Sequence, residues 1–165
     1  MPQFLDHVNQ AKHNISFLEN INSSNPAGYI DWQVTSCYYV AVRLINAHLA
    51  NHDMQYRTHV DVKDAINPHS ASSIRQGSAL EQTEYLAYVK LQSLSRRSRY
   101  LVNEKDDNLN EQKVFLTYDV HFEKALRHLN TLIIYFNKKL GTRINPLKIK
   151  CSTIKKEELS FIAIQ

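Results

Sequence analysis

The sequence predicts an all-α protein whose long helices form an antiparallel up-down four-helix bundle, for three reasons. The chain has 165 residues, the length of one ordinary domain. It has only three glycines and four prolines, too few for the many tight turns of a sandwich or barrel. Its apolar residues recur at spacings of three and four, which is the helical period. We therefore expect a few long helices joined by short polar connections.

Each of the first two helices is predicted from an apolar stripe. The first helix is expected to end before the polar segment at residues 22–28. The second begins at residue 30 and runs to about residue 52, and Asp31 favours its N-terminal dipole. The stripe of the first helix consists of Phe4, Val8, Ala11, Ile15 and Leu18. The stripe of the second consists of Val34, Cys37, Tyr38, Ala41, Ile45 and Leu49.

A short extra helix and a third long helix follow. The short helix is expected at residues 59–66, because Asn67 and Pro68 would stop it. The third helix is expected at residues 79–102 and is followed by an acidic polar linker at residues 103–112. The predicted inner face of the third helix consists of Leu80, Ala87, Leu91, Leu94, Ser98 and Leu101.

The fourth helix, at residues 118–140, has the clearest stripe. Gly141 follows it where a left-handed C-cap is expected, after two lysines that complement the helix dipole. We divide the chain into a helical bundle at residues 1–141 and a basic tail at residues 142–165 that packs on or extends the bundle. Alternating apolar residues from Leu147 predict a short hairpin or one added strand in this tail. The stripe of the fourth helix consists of Phe122, Leu126, Leu129, Ile133, Phe136 and Leu140.

Charge and apolar runs indicate a cytoplasmic protein that does not associate with membranes. The net charge of +4 permits contact with nucleic acid without requiring it. The longest apolar run, from Leu132 to Phe136, is far shorter than a membrane span, and the first ten residues lack an apolar targeting segment. Cys37 and Cys151 have no CxxC spacing, which argues against a thiolate metal site, and Cys37 is expected in the core.

A basic and aromatic stripe on the third helix is the best candidate for a nucleic-acid or nucleotide surface. Arginines bind phosphates and tyrosines stack on bases. The alternative is a solvated arginine face, since cations are favoured at a helix C-terminus in any case. The lysine-rich tail either improves solubility or extends the same surface. At 100° per residue the stripe consists of Tyr85, Tyr88, Gln92, Arg96 and Arg99, followed by Tyr100.

Other catalytic patterns are weak. His48 and His52 have the i,i+4 spacing of a metal-chelating pair, but they face the predicted bundle and lack the HExxH pattern. We expect packed histidines there, and we expect neither a metal nor a cofactor. Asp106 and Asp107 lie in the predicted linker, a poor place for a preorganised acid and base. Phosphate-binding loops and nucleophile elbows are absent from the sequence.

Three segments together resemble the HEPN superfamily (higher eukaryotes and prokaryotes nucleotide-binding). They are DWQVTSCYYVAVRLINAHLA at residues 31–50, RTHVDVK at residues 57–63 and YLAYVKLQSLSRRSRY at residues 85–100. The resemblance implies an up-down bundle that pairs into a homodimer. It also implies a function among metal-independent RNA cleavage, toxin or phage-defence activity, RNA or nucleotide binding, and scaffolding. The positions that carry over best are His59, Arg96, Arg99 and Tyr100.

Two functional hypotheses follow. In the first, a homodimer binds RNA across Arg96 and Arg99, and His59 acts as a general acid or base in RNA cleavage. In the second, the protein is a non-catalytic interaction module for a nucleotide, RNA or a cognate protein, with Trp32, Tyr39 and Arg43 as part of its contact surface. The nuclease branches carry an R-x4-6-H motif, and the single R-x4-H here, Arg43 to His48, has its side chains about 140° apart on the helix. We therefore read that match as accidental.

Overall fold

The computed structural model describes residues 2–100 and 116–165, which are mostly helical and confirm the all-α class. Six α-helices and two short β-strands lie in this part of the chain. In chain order they are α1 (Phe4–Ser24), α2 (Ile30–Ala50), α3 (His59–Ala65), α4 (Ala71–Gln76), α5 (Gln82–Tyr100), α6 (Asp119–Leu140), β1 (Leu147–Ile149) and β2 (Ile162–Ile164).

The predicted helices are present, with two corrections to their bounds. The first helix continues through Ser24 instead of ending before residue 22. It does so because the Asn22 side chain is buried and hydrogen-bonded, while the polar residues after it tolerate helical geometry. The third long helix, α5, begins at Gln82 instead of residue 79. Its predicted residues 101 and 102, and the predicted linker at 103–112, lie outside the described residues.

One helix was not predicted. The six residues of α4 end at Gly77, which takes a left-handed φ of 73°. Ser73 is the buried residue of α4, and its hydroxyl donates to the Asn67 and Ser70 carbonyls. So short a helix has no complete apolar stripe to reveal it, and its local hydrogen bonds exist only in the folded chain.

The central element of the core is α2, which packs against α1, α5 and α6. Most of its side chains are buried, including Cys37, and burial raises the pKa of that thiol. The α6 stripe is also buried, except that Leu140 is partly exposed. Gly141 ends α6 with the predicted left-handed φ, here 61°. Within the described residues no helix is both long and apolar enough to cross a membrane.

The tail contains two strands, but they do not form a hairpin. β1 and β2 pair in parallel, with Leu147 opposite Ile162, whereas the strands of a hairpin are antiparallel. β1 packs beside α1, where Glu19 accepts a hydrogen bond from the Lys148 amide. The Asn22 amide group closes this contact, since its oxygen accepts from the Lys150 N–H at 2.7 Å and its nitrogen donates to the Lys150 carbonyl at 2.9 Å.

Candidate functional site

An open cleft of about 470 Å³ lies where α3, the second half of α5 and Tyr38 of α2 meet. None of the described residues that line it is acidic. Five of the seven side chains that the sequence analysis selected line this cleft: His59, Gln92, Arg96, Arg99 and Tyr100.

Local structure explains how two separate helices supply these groups. Thr58 caps α3 because its hydroxyl oxygen accepts from the Asp61 amide, so the helix begins at His59. On α5, Gln92, Arg96 and Arg99 follow one another at spacings of four and three and therefore share one face. The start of α3 lies across from this face, and the histidine comes close to the arginines.

His59 is held by a tyrosine from the core. The Tyr38 hydroxyl and His59 Nδ1 are 3.0 Å apart, and the two ring centroids are 5.6 Å apart. Since Nδ1 is engaged, Nε2 is the ring nitrogen that a ligand can reach. Partial burial, and then the positive charge of Arg99, lower the pKa of His59. The imidazole is therefore neutral at pH 7 and able to accept a proton.

Arg99 connects the cleft to the surface of α2. Its guanidinium carbon lies 5.2 Å from the Tyr100 ring centroid and 5.9 Å from the Tyr39 ring centroid, both within cation–π range. Its Nε donates to the Ser95 carbonyl at 3.4 Å. Tyr100 itself is 62% exposed. A planar cation and an accessible aromatic ring therefore border the same cleft.

Two of the predicted surface residues are not part of the cleft lining. Tyr88 is completely buried, with its ring centroid 5.8 Å from that of Tyr38, and burial raises the pKa of its hydroxyl. Tyr85 is partly buried and packs against the core. The helical wheel gives the direction of a side chain but not which element covers it, and Tyr38 covers this part of α5. Tyr88 therefore supports Tyr38 from below and cannot stack on a base.

Sequence reasoning did not select the other five lining residues, and two of these, Tyr38 and Lys63, bear on the chemistry of the cleft. Tyr38 was assigned to the core stripe of α2, and it is indeed buried, yet its hydroxyl reaches His59. Lys63 lies one turn after His59 on α3 and adds a positive charge to the lining. The pair of tyrosines at positions 38 and 39 was the available signal, since buried tyrosines usually hydrogen-bond through their hydroxyls.

The other histidine and arginine candidates lie elsewhere. His48 is fully buried, and its Nε2 lies 2.9 Å from the Ser78 carbonyl oxygen. The His52 ring packs edge-on against it at 4.8 Å. Across the two described ranges, no group of three or more histidine, cysteine or acidic residues is arranged to hold a metal ion. Arg43 lies near His7 of α1, and after burial it is the next cause that lowers the pKa of that histidine.

Comparison with known proteins assigns no family to this chain. A scan of protein-family models gave no match, and no curated protein or solved structure was significantly similar. The cleft and the motifs of residues 31–100 are therefore the grounds for a functional proposal.

Proposed function

We propose that this protein is an HEPN-like homodimer that binds RNA or a nucleotide in the cleft between α3 and α5. The observation that carries the proposal is the meeting of His59 with Arg96 and Arg99, which lie on different helices. The chemistry of the cleft fits a phosphate ester, because guanidinium groups bind phosphate oxygens and the exposed Tyr100 ring offers a stacking face.

The proposal includes the finer architecture that the motifs imply. In it, α1, α2, α5 and α6 form an antiparallel up-down bundle, and α3 is the extra helix after the second long helix. The packing of α2 against the other three long helices, and of α5 against α6, supports this arrangement. Homodimerisation and a role of the toxin or phage-defence type rest on the HEPN resemblance.

His59 gives the cleft a route to metal-independent RNA cleavage. Its Nε2 accepts the proton of a ribose 2′-hydroxyl, and the 2′-oxygen attacks the adjacent phosphorus. The bond from phosphorus to the 5′-oxygen then breaks, and the 5′-oxygen leaves with a proton from the imidazolium. The products are a 2′,3′-cyclic phosphate and a free 5′-hydroxyl. Arg96 and Arg99 would stabilise the charge that develops on the phosphoryl oxygens.

The alternative function, a non-catalytic scaffold for a cognate protein, is favoured by a different observation. Trp32 is 53% exposed on a helix that is otherwise mostly buried. Tryptophan, tyrosine and arginine are the residues enriched at the energetic centres of protein interfaces. In this reading Trp32 and Tyr39 contact the partner, and the cleft is the edge of the contact.

Binding is tested with a fluorescein-labelled RNA oligonucleotide and fluorescence anisotropy at several salt concentrations. Replacing Arg96 and Arg99 with alanine should weaken binding at least about 100-fold, because hydrogen bonds to charged groups contribute about 1.5–3 kcal/mol each and two are lost. The slope of log K against log salt should fall by about 1.4, since each lost phosphate contact removes about 0.7. The matched control replaces Lys12 and Arg75, two exposed cations outside the cleft, and should change neither quantity by as much. Equal effects of the two double variants would contradict the proposed binding site.

Cleavage is tested with mixed RNA and purified protein in the presence of EDTA. The wild type should release fragments ending in 2′,3′-cyclic phosphate, and His59→Ala should lose this activity while it still binds RNA. His13→Ala, which removes an exposed histidine of α1, is the matched control. Activity that survives His59→Ala, or RNA that remains intact with the wild type, would refute the catalytic role and leave binding as the function.

A further inference from the structure

A second surface continues from the cleft onto α2. Trp32, Tyr39 and Arg43 are seven and four residues apart, which places them within about 40° of one another around the helix. Trp32 and Tyr39 are 53% and 36% exposed, although most of α2 is buried. We call Trp32, Tyr39 and Arg43 the α2 strip.

The α2 strip lies between α1 on one side and α5 on the other. On one side lies α1, whose Asn14 side chain donates to the Tyr39 carbonyl at 3.3 Å. On the other side lies α5, whose Arg99 guanidinium stacks on the Tyr39 ring. Arg99 and Tyr100 also line the cleft. The cleft and the α2 strip therefore share one wall, and a ligand can pass from one to the other without leaving the protein surface.

We propose that the α2 strip is a base-stacking subsite for single-stranded RNA that emerges from the cleft. This inference rests on the proposed function. Aromatic faces bind any unpaired base, and arginines between them follow the phosphate backbone. The succession Tyr100, Arg99 and Tyr39 has this alternation. From Tyr39, Arg43 lies about one turn further along α2 and Trp32 about two turns in the opposite direction.

The composition of the α2 strip favours RNA over a protein partner. A stable protein interface buries about 800 Å² on each partner around a mainly apolar centre. The α2 strip is one side of a single helix, and two guanidinium groups border Tyr39: Arg43 one turn further along α2 and Arg99 over the ring. Guanidinium groups among aromatic rings suit alternating bases and phosphates better than a continuous apolar partner surface.

The distance between the cleft and Trp32 implies that only a ligand of several nucleotides reaches the whole α2 strip. Trp32 and Tyr39 are about 10 Å apart along the helix axis, since each residue rises about 1.5 Å. Tyr39 in turn is separated from the cleft by the stacked Arg99 side chain. A mononucleotide held by its phosphate in the cleft therefore cannot contact Trp32, whereas a strand of several nucleotides can.

Trp32 is the single tryptophan of the chain, so its intrinsic fluorescence reports directly on the α2 strip. An oligouridylate of about eight nucleotides should quench it, because a stacked base quenches indole emission. Uridine monophosphate should leave it unchanged. Tyr39→Leu should weaken binding of the oligonucleotide about 5- to 100-fold, the range for losing one stacked base. The matched control is Tyr135→Leu, which removes a ring that is also stacked with a cation, Lys139, but lies on α6.

The outcomes separate this inference from the function on which it rests. In one outcome the oligonucleotide binds, but Trp32 emission stays constant and Tyr39→Leu has the same affinity as Tyr135→Leu. The α2 strip is then not part of the RNA-binding surface, and only this inference is refuted. If neither the oligonucleotide nor the mononucleotide binds, the proposed function falls with it. If Tyr39→Leu instead changes the molar mass in light scattering without changing RNA affinity, the α2 strip is a protein interface and the RNA assignment is overturned.

Discussion

The stability of this protein should fall as the pH drops from about 6.5 to about 4, and His48 should be a main cause. His48 is fully buried, in the last turn of α2. Burial, and to a smaller extent the positive charge of Lys139 and the neighbouring His52, lower its pKa to about 4, against the hydrogen bond to Ser78, which raises it. In the unfolded chain this histidine has its ordinary pKa of about 6.5 and is protonated below that pH, whereas in the folded chain it stays neutral. Acid therefore stabilises the unfolded state over this interval.

The size of the effect follows from the two pKa values. Between pH 7.5 and pH 5.0, a group with a pKa of 6.5 in the unfolded chain and about 4 in the folded chain lowers the free energy of unfolding by about 2 kcal/mol. At pH 4 and below the loss approaches about 3 kcal/mol and then levels off. Burial also lowers the pKa of His7 and of His128, so their contributions have the same sign.

Urea unfolding at pH 7.5 and pH 5.0 measures this quantity in matched variants. His48→Gln removes the titrating group, so the loss of stability between the two pH values should be about 2 kcal/mol smaller than in the wild type. His13→Gln, on the exposed face of α1, serves as the control. Observation of His48 by NMR in the wild type should show a neutral ring at pH 5.5. A protonated ring at that pH, or the same pH dependence in all three proteins, would refute this reasoning.

Three further predictions concern stability and are checked by urea unfolding at pH 7.5. Asn22→Ala should lower the free energy of unfolding by about 2–4 kcal/mol, because it leaves the polar groups of Gln33 and Lys150 without their partner. The control, Asn9→Ala on the exposed side of α1, should lower it far less. Equal losses would contradict the role of Asn22 in holding the tail. Gly141→Ala should cost about 1 kcal/mol, since nothing obstructs a Cβ there and only the φ of 61° opposes it; a stabilised variant would show that this conformation is not required. Arg127→Ala should cost less than about 1 kcal/mol despite ion pairs with Glu123 and Glu158, because the paired side chains are partly exposed to solvent. A larger loss would show that the pair with Glu158 holds α6 and the tail together.

Much of the helical structure could be read from local patterns. The stripe of α6 and the glycine after it predicted the bounds of that helix to within one residue, because a buried face must repeat at the helical period. The bounds of α3 were also predicted to within one residue. Pro68 accounts for the end of this helix, since proline restricts the conformation of the residue before it. The six residues of α4 were missed, because they form less than two turns and depend on tertiary hydrogen bonds.

The candidate site was predicted in part. The sequence indicated His59 and the arginines of α5 separately, through a motif and a helical face. It did not indicate that Tyr38 would hold His59, since a tyrosine in a core stripe does not reveal the partner of its hydroxyl. Tyr88 has the same angle on the helix as the cleft residues, yet it is buried beneath Tyr38. Whether a side chain is exposed depends on which neighbouring elements cover it, and a helical wheel represents only one helix.

The sequence by itself determined the class of the fold, the positions of the long helices and the chemical character of the α5 face. These follow from interactions between residues three or four apart, which are encoded locally. Only the tertiary structure decided that α3 crosses to the arginine face of α5, that the two tail strands pair in parallel, and that Arg99 joins the cleft to Tyr39. These features depend on how α1, α5 and α6 bury the surface of α2, and the free energy of that burial belongs to contacts between residues far apart in the chain.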